Sequence, residues 1–340
     1  MGRIYGFISD GNFRAGAKSL PYPAIRRLGA ACIFMWGLAA SAILFSFIAL
    51  GADQKDKAAS LSSYHNARPI VEWSDGEVVR KMPELRGMEP AQNQEPLPDI
   101  LRKVGEKVQA FFHNLISTAS VEDIHQERTG INNSASLNSM RLNYLLLASP
   151  DQKGPGLREY RTDSRGKPAV LRSKSGKFIL TSGFAAVSIY FDPKYQANSQ
   201  FRFLGKKMVN DREILLVAFA QRPDPKYSLG GFTSLEGSVP VLVQGLAWID
   251  PADFQIVRMR TDLLEPQNKV SLERLTTDVT FREVRFKGSQ AAMWLPREVD
   301  VTVIYQYTTY RNQHLYSDYK LFNVEAGSKA GGKASDRSPE

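Results

Sequence analysis

From Val121 to Phe322 apolar and polar side chains mostly alternate with a period of 2, the spacing of half-buried β-strands. Leu142, Tyr144, Leu146 and Ala148 alternate with Arg141 and Asn143, and Leu157 to Thr162 forms a further candidate strand before the turn residues Asp163-Ser164-Arg165-Gly166. Phe201 to Met208 and Glu213 to Ala220 flank Asn210-Asp211, a hairpin signal. Val239 to Ile249 and Phe254 to Leu263 flank Asp250-Pro251-Ala252-Asp253, where Asp first and Pro second suit a type I turn. Thr277, Val279 and Phe281 share one parity and Val284 and Phe286 the other, which predicts a bulge near Arg282-Glu283. Val299, Val301, Val303 and Tyr305 alternate with Glu298, Asp300 and Thr302, and a last strand carries Tyr316, Asp318 and Lys320 against Leu315, Tyr319 and Leu321. Short connections without intervening helices predict one antiparallel meander.

Two segments break the alternation. Leu101, Val104, Val108, Phe111 and Leu115 recur at helical steps behind Pro98, which predicts an amphipathic helix packed on the sheet. Leu180, Phe184, Val187 and Phe191 suit a short helix ending before Pro193, although Ala185, Val187, Ile189 and Phe191 also suit a strand; the helix is the reading taken.

Leu28 to Leu50 is a run of 23 residues without a charge, long enough to cross a hydrocarbon core of roughly 30 Å. Arg26 and Arg27 precede it, so the positive-inside rule leaves residues 1–27 in the cytoplasm and sends the rest outside. The run is read as an uncleaved inner-membrane anchor, with a cleaved signal peptide ending at Ala49-Leu50-Gly51 and a soluble periplasmic product as the alternative. Residues 51–96, polar and proline-punctuated, read as a flexible linker. Residues 97–325 form the β domain, and 326–340, rich in Gly, Ser and Lys, a disordered tail.

The net charge is +9. Residues 1–27 supply +4 of it, and what remains is a mildly basic globular surface without a polyanion-binding stripe, so nucleic acid is not expected as a partner. The single cysteine, Cys32, lies in the apolar run and allows no intrachain disulfide. His65, His113, His125 and His314 are scattered without metal-ligand spacing, and no metal or cofactor is expected. GxSxG, GxxxxGK[ST] and GxGxxG are absent, so the chain reads as non-catalytic.

Three stretches carry a family likeness. They are Val121 to Arg128 after the helix, Phe203-Leu204-Gly205 through Asn210 to Val217, and Trp248-Ile249-Asp250-Pro251 through Ile256 to Met259. With the element order, they resemble the lipoprotein-carrier superfamily of LolA-type and LolB-type carriers and LppX-type lipid binders; the chain also resembles a family of exported bacterial proteins. The resemblance implies an α+β, mainly antiparallel half-open barrel, covered by the N-terminal helix and the inserted helix and here preceded by one transmembrane helix. It implies a lipid or lipoprotein acyl chain as ligand and transfers no functional residue. Aromatic side chains concentrate around the strands and the insertion, and Phe184, Tyr190, Phe191, Phe203, Trp248, Phe281 and Trp294 are the candidate lining of an apolar cavity. The alternative is an envelope scaffold or sensor with a filled interior that meets another protein through its sheet face.

Overall fold

The computed structural model describes residues 3–6, 62–114, 117–148, 157–169, 178–179, 181–223, 230–234, 237–286 and 292–321. In chain order the strands are β1 (Arg3–Gly6), β2 (Glu89–Pro90), β3 (Thr118–Thr129), β4 (Ala135–Ala148), β5 (Leu157–Thr162), β6 (Ser199–Val209), β7 (Arg212–Gln221), β8 (Gly230–Ser234), β9 (Gly237–Pro240), β10 (Val243–Ile249), β11 (Ile256–Leu263), β12 (Leu272–Val284), β13 (Met293–Tyr305) and β14 (Thr308–Leu321). The helices are α1 (Asp75–Lys81), α2 (Leu97–Asn114) and α3 (Pro193–Gln196).

Eleven strands form one sheet in the order β2-β6-β7-β10-β11-β12-β13-β14-β3-β4-β5. Every pairing is antiparallel, and the two edges, β2 and β5, do not meet, so the sheet is open. In place of the one predicted meander there are two antiparallel runs, β3 to β5 and β6 to β14, separated in sequence by the insertion and joined by the β14–β3 pairing. Asn210 and Asp211 both have positive φ, 47° and 62°, the geometry of a type I′ hairpin whose twist matches the strands it joins. Asp250 accepts Ala252 N–H on its carboxylate, and Phe254 N–H returns to the Asp250 carbonyl, closing the second predicted turn. The bulge lies slightly before the expected place: the β12–β13 register shifts between Thr280 and Phe281, with Arg297 as the extra residue on β13.

One apolar core lies on the face covered by α2. It joins Val104 and Val108 of α2, Val217 and Phe219 of β7, Met259, Val279, Leu295, and Val299, Val301 and Val303 of β13. Asp99, Arg102, Lys103 and Glu106 hold the wet side of α2 with i,i+3 and i,i+4 ion pairs of 2.7 Å. Gly105 lets α2 come close to the insertion and to α3, since a Cβ there would lie 3.2 Å from the Phe191 carbonyl oxygen and 2.8 Å from Gln196 Nε2. The insertion, Phe184–Phe191, is a 3-10 helix rather than an α-helix and buries every residue except Ser188. Its apolar residues occur in nearly unbroken sequence, which is why two periodicities fitted it equally well.

Residues 62–90, expected as part of a flexible linker, are instead folded onto the opposite face of the sheet. Ile70, Val78, Met82, Leu85 and Met88 pack against Leu204, Leu216, Ala218, Leu246 and Trp248 in a second apolar cluster. Ile70 N–H donates to Gln244 Oε1 at 2.5 Å, and Arg260 pairs with Glu84 at 2.5 Å. The segment consists of short turns and helices separated by Pro69, Pro83 and Pro90, so its apolar residues never build a sustained period.

A separate three-stranded sheet pairs β1 with β8 and β8 with β9. A single membrane span at 28–50 would put residues 3–6 across the membrane from β8, so that span and this pairing exclude each other. The 28–50 run and the 326–340 tail lie outside the described residues, and no described helix is long and apolar enough to cross a membrane.

Candidate functional site

Six of the seven aromatic residues expected to line a cavity belong to one core. Phe184, Tyr190, Phe191, Phe203 and Phe281 are buried in it, and Trp294 packs against it half-buried. Trp248 points the other way: it belongs to the second cluster, with the Arg258 guanidinium 4.4 Å from its ring. Parity explains the difference. Ala247 and Ile249 of β10 face the first core, so Trp248 between them faces the second. Two of the six already spend their rings on neighbours. Tyr190 stacks on Phe219 with centroids 5.0 Å apart, and Phe191 meets Phe201 at 5.2 Å and Phe219 at 5.8 Å. The insertion fills the face that the aromatics define.

Next to this apolar region lies a buried polar cluster. Glu122 of β3 and His314 of β14 are both 0% exposed. Glu122 accepts from Arg161 Nε at 2.5 Å and Nη2 at 2.8 Å, from Tyr316 Oη at 2.8 Å, and meets His314 Nδ1 at 2.9 Å. Burial pushes the Glu122 carboxyl up, but the Arg161 guanidinium and His314 outweigh it and hold the group well below the usual carboxylate range. Burial likewise lowers Arg161, and Glu122 more than reverses this, leaving the guanidinium firmly charged. Such a pair is costly to break because either partner alone would be an uncompensated buried charge.

The cluster also holds the start of the insertion. His314 Nε2 lies 2.9 Å from Thr181 Oγ1, and Asn312 Nδ2 donates to the Ile179 carbonyl at 2.8 Å and to Thr181 Oγ1 at 3.5 Å. Gln126 Nε2 donates to the same carbonyl at 3.1 Å. Gly183 N–H donates to both Glu159 oxygens at 3.0 Å, and the Phe184 ring sits 4.9 Å from that of His314.

Carboxylate, imidazole and hydroxyl thus stand in the order of a proton relay, with His314 Nδ1 on Glu122 and Nε2 on Thr181 Oγ1. Two features favour a structural role. Glu122 is already saturated by Arg161 and Tyr316, and Thr181 is 1% exposed. The bonds fasten Ile179, Thr181 and Gly183 to β3, β5 and β14. Neither Glu122, Arg161 nor Thr181 stood out in the sequence, and His314 read as an isolated polar strand residue. The usable signal was polarity on the inward parity: Ser120, Glu122 and Gln126 on β3, and Asn312 and His314 on β14. Among the described residues no group of three or more His, Cys, Asp or Glu is placed to hold a metal ion.

No family model and no curated protein matches the chain. Among solved structures, it is similar to a domain assigned to outer-membrane lipoprotein sorting from Vibrio parahaemolyticus, at 14% identity and TM-score 0.33, over 68% of this chain and 94% of that one. A DUF1329 family protein from Desulfovibrio piger aligns at 9% identity and TM-score 0.34, over 68% and 94% of the two chains. A LolA superfamily protein from Nitrosomonas europaea aligns at 9% and 0.29, over 66% and 94%. At these scores the likeness carries no weight for function, and the half-open architecture stands on strand order and register alone.

Proposed function

We propose that the chain is a periplasmic module, tethered through residues 28–50 at the expense of the β1–β8 pairing, that binds a lipid, acyl chain or other apolar ligand on the core face of its half-open barrel, without chemistry on it. The observation that carries this reading is the insertion. A 3-10 run of eight residues is longer than the three or four that such helices usually hold. It covers an apolar sheet face with one short segment, so an acyl chain entering between segment and sheet would keep the rings of both buried against it. Such a chain would gain roughly 0.8 kcal/mol for each methylene buried. Phe184, Tyr190, Phe191, Phe203, Phe281 and Trp294 would then meet the ligand, and Trp248 would not.

The interlocked rings of Tyr190, Phe191, Phe201 and Phe219 favour the second reading, an envelope scaffold with a permanently filled interior. Native mass spectrometry of the full chain, released gently from bacterial membranes, separates the two. A lipid-sized added mass that is lost on activation is the expected result. Bare protein, unchanged after incubation with a total lipid extract, would overturn the binding reading.

A further inference from the structure

We infer that the apolar ligand is an amphiphile with an anionic head, whose carboxylate or phosphate oxygens are received by Arg282, Tyr144 and Thr118 at one end of the core face. The inference rests on the binding reading above and adds the polar end of the ligand.

Four buried polar atoms in this region have no hydrogen-bond partner among the described residues: Thr118 Oγ1, Ser120 Oγ, Tyr144 Oη and Arg282 Nε. Thr118 and Tyr144 are each 1% exposed. They lie on adjacent strands, because Ser120 is paired with Tyr144 and Thr118 with Leu146. Arg282 reaches the same neighbourhood from β12. Its Nη2 donates to the Tyr316 carbonyl at 3.4 Å, and its guanidinium lies 5.7 Å from the Tyr319 ring. Tyr316 in turn meets Tyr144 edge-on at 5.1 Å. Buried polar groups are almost always satisfied, so four open ones around one pair of tyrosines mark a place built for a polar guest.

Arg282 decides what the guest is. Glu122 and Glu159 share Arg161, which lies 2.5 Å from the first and 3.8 Å from the second. No described carboxylate pairs with Arg282, whose remaining contacts are a carbonyl and a ring. A guanidinium with an open buried donor, beside two hydroxyls able to donate, offers three donors to one acceptor group. Oxyanions suit that set, because the planar fork of arginine matches carboxylate and phosphate oxygens. Tyr319 and Leu295 adjoin the same core, so a chain attached to the head would enter the apolar region directly.

The test uses the purified full chain with oleate, a lysophosphatidic acid and mono-oleoylglycerol, each titrated at pH 8 against a displaceable fluorescent fatty probe. The first two share the chain and carry a carboxylate or a phosphate; the third is neutral. At least one anionic ligand is expected to bind about tenfold or more tighter than the neutral one, the worth of one charged hydrogen bond. Which of the two leads identifies the headgroup. Arg282→Met, which keeps the apolar stem, should bring the anionic ligands down to the neutral level while leaving the neutral ligand unchanged. Tyr144→Phe, a loss of one hydroxyl, should narrow the gap several-fold without unfolding the protein. Equal binding of all three, or a preference that survives Arg282→Met, overturns the inference and leaves the open atoms as sites for buried water. Failure of every ligand to displace the probe, or of the probe to bind, sinks the binding reading as well.

Discussion

Glu122 shows how one residue can be decisive for the fold and yet unremarkable in the sequence. Its partners are Arg161, 39 positions away, and His314, 192 positions away, and no local pattern links them. Arg161→Met leaves Glu122 charged and buried, and chemical denaturation should report a loss of about 3–5 kcal/mol. The double variant Arg161→Met with Glu122→Leu should cost much less than the sum of its parts, which a double-mutant cycle would reveal. The pH dependence has a definite sign. Because the folded-state pKa of Glu122 lies below its ordinary 4.5, its stabilisation is complete above that pH and is lost as pH falls toward the folded value. The stability gap between the natural protein and Glu122→Gln should therefore narrow in urea titrations run at pH 3 compared with pH 7. A gap that stayed constant would mean that the carboxylate is not held ionised by its neighbours.

Elements were legible wherever the determining chemistry is local. Asn210-Asp211 and Asp250-Pro251 announce their turns because a few adjacent residues fix the backbone. The I′ hairpin can be improved: Asp211 sits at φ 62° and is exposed, so Asp211→Gly should stabilise the protein by up to about 1 kcal/mol, read as a higher urea midpoint. Gly245 is the opposite case. A Cβ there would lie 1.9 Å from the Arg260 carbonyl oxygen, so Gly245→Ala should cost more than about 3 kcal/mol and loosen the β10–β11 pairing, visible as lost amide protection. The last strand was only half legible. Its alternation is broken by Asp318 at φ 53° and a register shift between Ser317 and Lys320, so Tyr316 and Tyr319 both turn inward. The face that each residue takes beyond a bulge depends on the partner strand, which sequence spacing does not contain.

At the scale of the molecule, antiparallel architecture followed from the period of 2, but the second covering layer did not. Residues 62–90 lack a repeat, and their burial follows from the apolar outer face of β6, β7 and β10 that they meet. Deleting residues 1–52 tests the topology. If the chain is anchored by 28–50 with its domain outside, β1 takes no part in the folded protein and the melting temperature should stay within about 2 °C. A larger fall would show that residues 3–6 belong to the domain and that a single span is wrong.

The two apolar layers also divide the sheet mechanically. β7 carries eight consecutive buried residues, Ile214 to Gln221, between them, so its amides should exchange with deuterium only when the whole protein unfolds. Toward β4 and β5 no outer layer is present among the described residues: Arg141, Asn143 and Tyr160 are exposed, and the sheet there ends in β5, bridged on its far side only at Thr162–Pro168 among them. That flank should breathe independently, like a page turning on a stiff spine, and the Glu122–Arg161 clamp lies on it.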